Sequence, residues 1–511
     1  SLRPIIAICG TTGVGKSKLA VELALALSQR SDNARHKYRG ARIINADAMQ
    51  VYSGMDIITN KITMEEMRGV DHLLMSFKRP GEQYIITEWV KDATRIIDET
   101  HRMGQVPIVV GGTSYWIQHL LFPNRLVSLD STSPESADGS SLSEGLAKSL
   151  SSLPPELFNL FHALPTQSPS AADQPELASA MHQLLSLLDP QIAQRLHWRD
   201  TRKTLRQLTI VKEAGRLSSE ILAEQSQAAP SARYRTLLFW LYAKPDILKP
   251  RLDSRIDQMV EQGLLDEIRT LGTQLSADTV HPDAKEESNE EIEPERYTIE
   301  TDYTLGIYQS IGFKEFHDYL SAPAHNDATF QEALQNMKTA TRRYAMRQIM
   351  WIRNKLLPAA RTANALSRAE EDYDVVPTYV LDATELGTYW DANILKPAQD
   401  ITDAFLNSEE LRDPMLLSNT ARDLLTEKKP KDIVPRRKVM CPVCTRDEER
   451  PVMIEEGAQW KGHVRTRPHR KRAVKLHMQQ LKDSQGNDDQ PNDEETSESE
   501  DGLYETSTLY T

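Results

Sequence analysis

Short unbroken apolar runs, separated by stretches of helical periodicity, dominate the N-terminal part of the chain. Pro4-Ile-Ile-Ala-Ile-Cys9 precedes a glycine-containing loop and then Lys16-Ser-Lys-Leu-Ala-Val-Glu-Leu-Ala-Leu-Ala26, which reads as strand, loop and helix. Apolar runs without polar alternation predict further buried strands over Arg42–Asn45, Val106–Val110, Thr236–Tyr242 and Thr378–Leu381. Helical patterns lie between the first three strands, including one over Ile85–Met103. Strands that hide both faces and alternate with helices predict an α/β architecture, a parallel sheet with helices on both faces.

That order breaks between Pro123 and Ala232, where Ser/Pro-rich stretches (Ser128–Ser141, Pro165–Pro175) surround helical segments without a convincing strand. The pattern predicts a helical insertion carrying loops that need no fixed structure. The core resumes at Thr236 and continues through helices near Arg251–Leu271 and Thr304–Leu357. An acidic run, Glu286–Glu295, reads as a surface loop, and beyond Lys396 the periodicity weakens.

Composition narrows the class. The 511 residues suffice for two or three compact domains, and no stretch approaches the ~20 apolar residues of a membrane span. Three cysteines (Cys9, Cys441, Cys444) are too few and too scattered for a disulfide framework, and Cys9 reads as a small buried hydrophobe. The net charge of −13 argues superficially against a nucleic-acid partner. Yet Asp483–Thr511 holds ten acids and no Lys or Arg, whereas Lys461–Lys482 holds eight bases and no acid, so local patches matter more than the sum.

The first chemical signal is Gly10-Thr11-Thr12-Gly13-Val14-Gly15-Lys16-Ser17, a full match to the phosphate loop G-x-x-x-x-G-K-[ST], placed between strand and helix. Its glycines let backbone N–H groups turn inward around phosphate oxygens, and the helix N-terminus adds positive potential. Lys16 reaches a terminal phosphate in such loops, and the Ser17 hydroxyl joins a Mg²⁺ shell. The motif makes the fold P-loop NTPase-like and leaves the phosphate compound open. A nucleoside or metabolite kinase shares this opening. A non-catalytic RNA-binding zinc-finger protein with a dead loop is a further reading.

Asn45-Ala-Asp47-Ala48-Met49-Gln50-Val-Tyr52 places an acid, an amide and a tyrosine at a strand's carboxyl end, where ligands of open α/β sheets gather. Gly111-Gly112-Thr113 closes another strand. With Val70-Asp-His72-Leu-Leu, Arg251-Leu-Asp-Ser-Arg255-Ile-Asp-Gln-Met259, Gln309-Ser-Ile-Gly-Phe-Lys-Glu315 and Thr341-Arg342-Arg-Tyr344-Ala-Met-Arg347-Gln348-Ile-Met-Trp351, the chain resembles the tRNA dimethylallyltransferases, particularly fungal-like members. These blocks run in the family's order over most of residues 4–390. The resemblance implies transfer of a dimethylallyl group from dimethylallyl diphosphate to N6 of the adenosine 3′-adjacent to the anticodon, with the tRNA anticodon stem-loop as partner. It implies Asp47 as the base, Thr12 near the donor's bridging oxygen, and Arg255 and Thr113 at the diphosphate. It further implies that Gln50, with Ala48 and Met49, holds the extracted target base. Arg342 and Arg347, and Arg202, Lys203 and Arg206, are expected at tRNA phosphates. His72 is assigned no catalysis. One departure stands out: relatives carry His-Pro-Asn-Asp where this chain reads His197-Trp-Arg-Asp200.

Near the C-terminus, Cys441-Pro-Val-Cys444 is followed after eighteen residues by His463 and then by His469, which reads as one structural tetrahedral Zn²⁺ site in a small C2H2-type finger. The gap exceeds the ~12 residues of DNA-reading fingers. Six steps along the chain from His463 to His469 put their rings ~240° apart on an ideal helix, so a bend is required, and Pro468 offers one. Both spacings resemble the C-terminal finger of fungal members of the family. Bases from Lys461 to Lys475 surround the histidines and suit phosphate contact.

The resulting division is a catalytic core in two parts, 1–124 and 233–395, a helical insertion at 125–232, a linker at 396–435, a finger with basic extension at 436–482, and an acidic disordered tail at 483–511. A monomer is expected, in the cytoplasm, the mitochondrion or both. Arg467–Lys475 also fits a nuclear-localisation signal.

Overall fold

The computed structural model describes residues 2–29, 38–123, 142–227, 231–278, 306–322, 326–427, 437–447 and 450–485. The Ser-rich stretch at 128–141, the acidic run at 286–295 and nearly all of the acidic tail lie outside these residues. The chain forms two compact units: one from residues 1–139 and 220–431, the other from 140–219 and 432–511.

The first unit is built on six parallel strands, β1 (Pro4–Gly10), β2 (Ala41–Asn45), β3 (His72–Leu73), β4 (Val106–Val110), β5 (Arg235–Tyr242) and β6 (Thr378–Asp382), in the order β3-β2-β4-β1-β5-β6. All five expected strands are present within a residue or so of their expected bounds. The additional strand, β3, is two residues long, too short to leave a periodic signature. Along β1, Ile5, Ala7 and Cys9 enter the core on one sheet face while Ile6 and Ile8 enter the core on the other. That period of two, with apolar residues on both faces, is the physical content of the unbroken run. Burial lifts the Cys9 thiol to about 12, which keeps it protonated and inert.

Register sets the site. Ile8 of β1 and Asn45 of β2 both lie beside Val110 of β4, so these strands end level. The connection leaving β1 runs toward β2 and the one leaving β4 runs toward β5. The crevice between the carboxyl ends of β1 and β4 is therefore the topological switch point, where ligands bind in such sheets. The helical stretch expected near Arg251–Leu271 comprises two helices, Pro245–Glu261 and Leu264–Asp278, parted at Gly263 with φ +102°. Residues expected as a linker at 396–435 include helix Lys396–Asn407, which buries Ala398, Ile401 and Phe405, and helix Asn419–Leu425, which lies against β6. Their apolar positions complete the cores on the two faces of the sheet, so the core extends further than expected.

The second unit joins the helical insertion to the finger. Its core comprises Leu146, Leu157, Phe161, Met181, Leu184, Leu185, Leu188, Leu208 and Val211 from successive helices, including Pro175–Leu188 and Thr201–Ala214. The finger's hairpin, β7 (Lys438–Met440) and β8 (Met453–Glu455), docks on this bundle. The Lys438 N–H donates to the Gln194 carbonyl at 2.7 Å, and the Trp198 indole N–H donates to the Pro451 carbonyl at 3.0 Å. Arg450 and Glu176 form an ion pair at 2.6 Å. Trp198 belongs to the His-Trp-Arg-Asp departure, and here its buried ring seats the finger. Among the described residues no helix is long and apolar enough to cross a membrane.

Truncating that ring leaves a cavity and an orphaned carbonyl. Trp198→Ala is expected to destabilise the second unit by about 3 kcal/mol. Calorimetry should show its transition moving to lower temperature while that of the sheet unit stays in place.

Candidate active site

The phosphate loop leaves β1 and enters helix Lys16–Ser28 through Gly15, whose φ of +86° no side chain adopts cheaply. A Cβ on Gly15 would also lie 2.7 Å from the Trp390 ring, which caps the loop from beyond β6. The Lys16 ammonium folds back on the loop and donates to the Thr11 carbonyl at 2.7 Å. Burial draws its pKa down to about 8, against the pull of Asp47, with Arg255 lowering it further. Arg255, on helix Pro245–Glu261, donates through Nε to Asn60 Oδ1 at 2.7 Å and through Nη1 to Thr12 Oγ1 at 3.4 Å. Burial lowers its pKa too. Cations taken partly out of water at a cavity wall are arranged to receive an anion.

Across a cavity of about 800 Å³ lies the end of β2. Asp47 is locked in a turn of its own: its N–H donates to Asn45 Oδ1 at 3.0 Å, and its Oδ1 accepts from the Met49 N–H at 3.0 Å. Asn45 in turn donates to the Asp47 and Leu74 carbonyls. Burial raises the Asp47 carboxyl above the ordinary carboxylate range, while the Met49 N–H and Lys16 oppose it. Beside it, Tyr344 stays protonated, its phenol raised by burial and then by the Asp47 charge. Ile58, Ile256, Met259, Ile311 and Met337 give the same cavity apolar walls.

A family profile described as IPP transferase matches residues 50–355. The tRNA dimethylallyltransferase of Schizosaccharomyces pombe is 34% identical over 92% of this chain and 94% of that protein, and its Saccharomyces cerevisiae counterpart is 31% identical over 92% and 91%. The chain belongs to the tRNA dimethylallyltransferase family. A solved eukaryotic dimethylallyltransferase acting on tRNA is similar in fold at a TM-score of 0.67 and 28% identity, over 94% of this chain and 99% of that one.

Against that family background, the structure gathers Thr12, Gly13, Gly15, Lys16, Ser17, Asp47, Ala48, Met49, Gln50, Thr113, Arg255 and Arg347 around one cavity. Some expected contacts are already engaged within the protein. Thr113 Oγ1 accepts the Ala48 N–H at 3.1 Å, and the Gln50 amide donates to the Thr59 and Asn60 carbonyls at 3.1 and 3.2 Å. Arg342 Nη1 donates to both carboxylate oxygens of Asp253, at 2.6 and 2.8 Å, and the residue does not line the cavity. Arg202, Lys203 and Arg206 lie on helix Thr201–Ala214 of the second unit, where Lys203 pairs with Asp200.

Sequence reasoning singled out the arginines of helix Asp327–Trp351 and missed Tyr344 and Gln348, which line the cavity from it. The available signal was helical spacing: Thr341, Tyr344 and Gln348 recur at three and four residues and share one face. His72, given no role, also lines the cavity, with Nδ1 at 2.8 Å from the Val70 carbonyl.

In the second unit, Cys441, Cys444, His463 and His469 bring their ligand atoms within 4.8 Å of one another. His469 Nδ1 is 3.5 Å from both sulfurs, and His463 Nε2 is 3.3 Å from Cys441 Sγ. Such edges fit four ligands around one ion with bonds of about 2.0–2.3 Å. The required bend between the histidines is present, since helix Ala458–Val464 ends before helix Arg467–Gln485 begins.

The dry Lys16 ammonium leads to a pH prediction. As pH rises through about 8 the unliganded cradle loses its lysine charge, so affinity for an alkyl diphosphate is expected to fall about tenfold between about pH 7 and about pH 9. Calorimetric titration at the two pH values checks this, and equal affinities would contradict it. Stripping metal with a chelator is expected to unfold the finger, visible as lost ellipticity restored by added metal.

Proposed function

We propose that this protein transfers the dimethylallyl group of dimethylallyl diphosphate to N6 of the adenosine 3′-adjacent to the anticodon of tRNA. The observation that carries the reading is one cavity lined by a cationic loop, a half-buried carboxylate and apolar side chains. The allylic C1–O bond breaks and a C1–N6 bond forms. Diphosphate leaves, and the N6 proton passes to Asp47.

Each part answers a chemical difficulty. The adenine amine is a poor nucleophile because its lone pair is delocalised, and Asp47 accepts its proton as the bond forms. Departing diphosphate needs charge neutralisation, which the loop amides, Lys16 and Arg255 supply. The Thr12 hydroxyl, beside Arg255, stands where charge develops on the bridging oxygen. Mg²⁺, with Ser17 as its protein ligand, would add charge neutralisation at the diphosphate. An allylic centre with cation character is exposed to attack by water, and the aliphatic walls exclude it. The target base must leave the anticodon-loop stack to reach Asp47, and Gln50 would hold it by giving up its carbonyl partners. We assign the finger, as a Zn²⁺ site among basic residues, to tRNA affinity.

Asp47→Ala is expected to lower prenyl transfer about 10²–10⁴-fold while leaving tRNA affinity near the parent value. Steady-state kinetics with tRNA, together with a filter-binding titration, measure the two quantities. A variant turning over at the parent rate would remove Asp47 from the mechanism. With the parent protein, the acid limb of kcat/KM should lie above the ordinary aspartate value of about 4, because burial raises the carboxyl and only its ionised form accepts a proton.

A further inference from the structure

On the reading above, we propose that Gln348 is a positioning residue that holds the phosphate loop and the Gly111–Thr113 loop beside Asp47 in one register for the prenyl transfer. Its side chain projects from helix Asp327–Trp351 into the switch-point crevice and is only 5% exposed. Both ends of the amide are used on different loops. Oε1 accepts the Thr12 N–H at 3.1 Å, and Nε2 donates to the Gly112 carbonyl at 2.9 Å. The strands before these loops, β1 and β4, are neighbours, so the amide bridges the crevice where the ligands meet.

Chemistry restricts the residue. A side chain of this reach must offer an acceptor to one loop and a donor to the other. Glutamate would set an oxygen against the Gly112 carbonyl, and methionine would leave both backbone groups unpaired. What lies at each end takes the role beyond stability. Thr12 carries the hydroxyl that faces Arg255, on the diphosphate side. Gly112 lies against the base: a Cβ there would be 3.1 Å from Asp47 Oδ2 and 2.6 Å from Gln348 Nε2. Gly112 is thus kept bare so that amide and carboxylate can approach it together. Thr12, Gln348, Gly112 and Asp47 form a continuous file from leaving group to base, and Tyr344, one turn earlier on the helix, flanks it.

Transfer requires N6 and C1 at about 3–3.5 Å with their orbitals aligned, and a misplacement of about 1 Å costs on the order of 100-fold in rate. Loss of the bridge is therefore expected in the chemical step rather than in binding. The test compares the parent protein with Gln348→Met, which keeps the volume and loses both hydrogen bonds, and Gly112→Ala, whose methyl displaces the amide. Single-turnover rates are taken with saturating dimethylallyl diphosphate and tRNA, and the two dissociation constants and the thermal midpoint are measured separately. Both variants are expected to react about 100-fold more slowly, with each dissociation constant within about threefold of the parent. The double variant should lose no more than about twofold beyond Gln348→Met, because the two changes break one bridge. The inference is overturned by a folded Gln348→Met variant within about threefold of the parent rate, or by a rate loss that weaker donor binding fully explains. Should Gln348→Met not fold, Gln348→Glu, which keeps the acceptor for the Thr12 N–H and loses the donor to the Gly112 carbonyl, decides by the same criteria. A parent protein unable to transfer the prenyl group would refute the functional reading instead.

Discussion

The structure depends on keeping an anion cradle and a carboxylate close together without letting them neutralise each other. Lys16 and Arg255 on one wall and Asp47 on the other are all taken partly out of water, which weakens the charge of each: the cations are drawn down and the acid is drawn up. Unpaired, such charges are costly. Each is therefore held by neutral dipoles, Lys16 by the Thr11 carbonyl, Arg255 by Asn60 and Asp47 by the Met49 N–H, and no direct ion pair collapses the cavity. An arriving diphosphate and an adenine amine then find partners already aimed at them.

The sheet makes this possible. Two sequence-distant loops are brought to one crevice because β1 and β4 are neighbours and their outgoing connections run in opposite directions. Helix Pro245–Glu261 adds Arg255, and helix Asp327–Trp351, packed against it, adds Tyr344, Arg347 and Gln348. The insertion and finger form a unit of their own, in which a hairpin too small to build a core rests on a bundle that has one.

Much of this was legible along the chain because its information is local. The loop from Gly10 to Ser17 is contiguous, and the long strands of the sheet are short apolar runs that need no partner to be recognised. The Asp47 turn was visible as polar residues at a strand's end. What escaped notice depends on distant partners. Gln348 bonds groups 336 and 236 positions away, and the helical spacing that sets it on one face with Thr341 and Tyr344 does not say what that face meets. Arg342 is a conspicuous base in a basic helix, yet Asp253 holds it. Helix Lys396–Asn407 follows weak periodicity, and only the sheet face it covers reveals that it is core. Trp198 stands in a departure from a family motif, and its role depends on the distant Pro451 carbonyl that accepts its indole N–H.

The central claim is that the cradle grips a leaving group whose carbon partner is handed to an adenine nitrogen. The most direct measurement is incubation of the purified protein with undermodified tRNA and isotopically labelled dimethylallyl diphosphate, followed by nucleoside mass spectrometry. The account predicts label in N6-isopentenyladenosine at the position 3′ of the anticodon, independent of any nucleoside triphosphate. Label that stays in the donor, with γ-phosphate moving from ATP to a small acceptor instead, would contradict it.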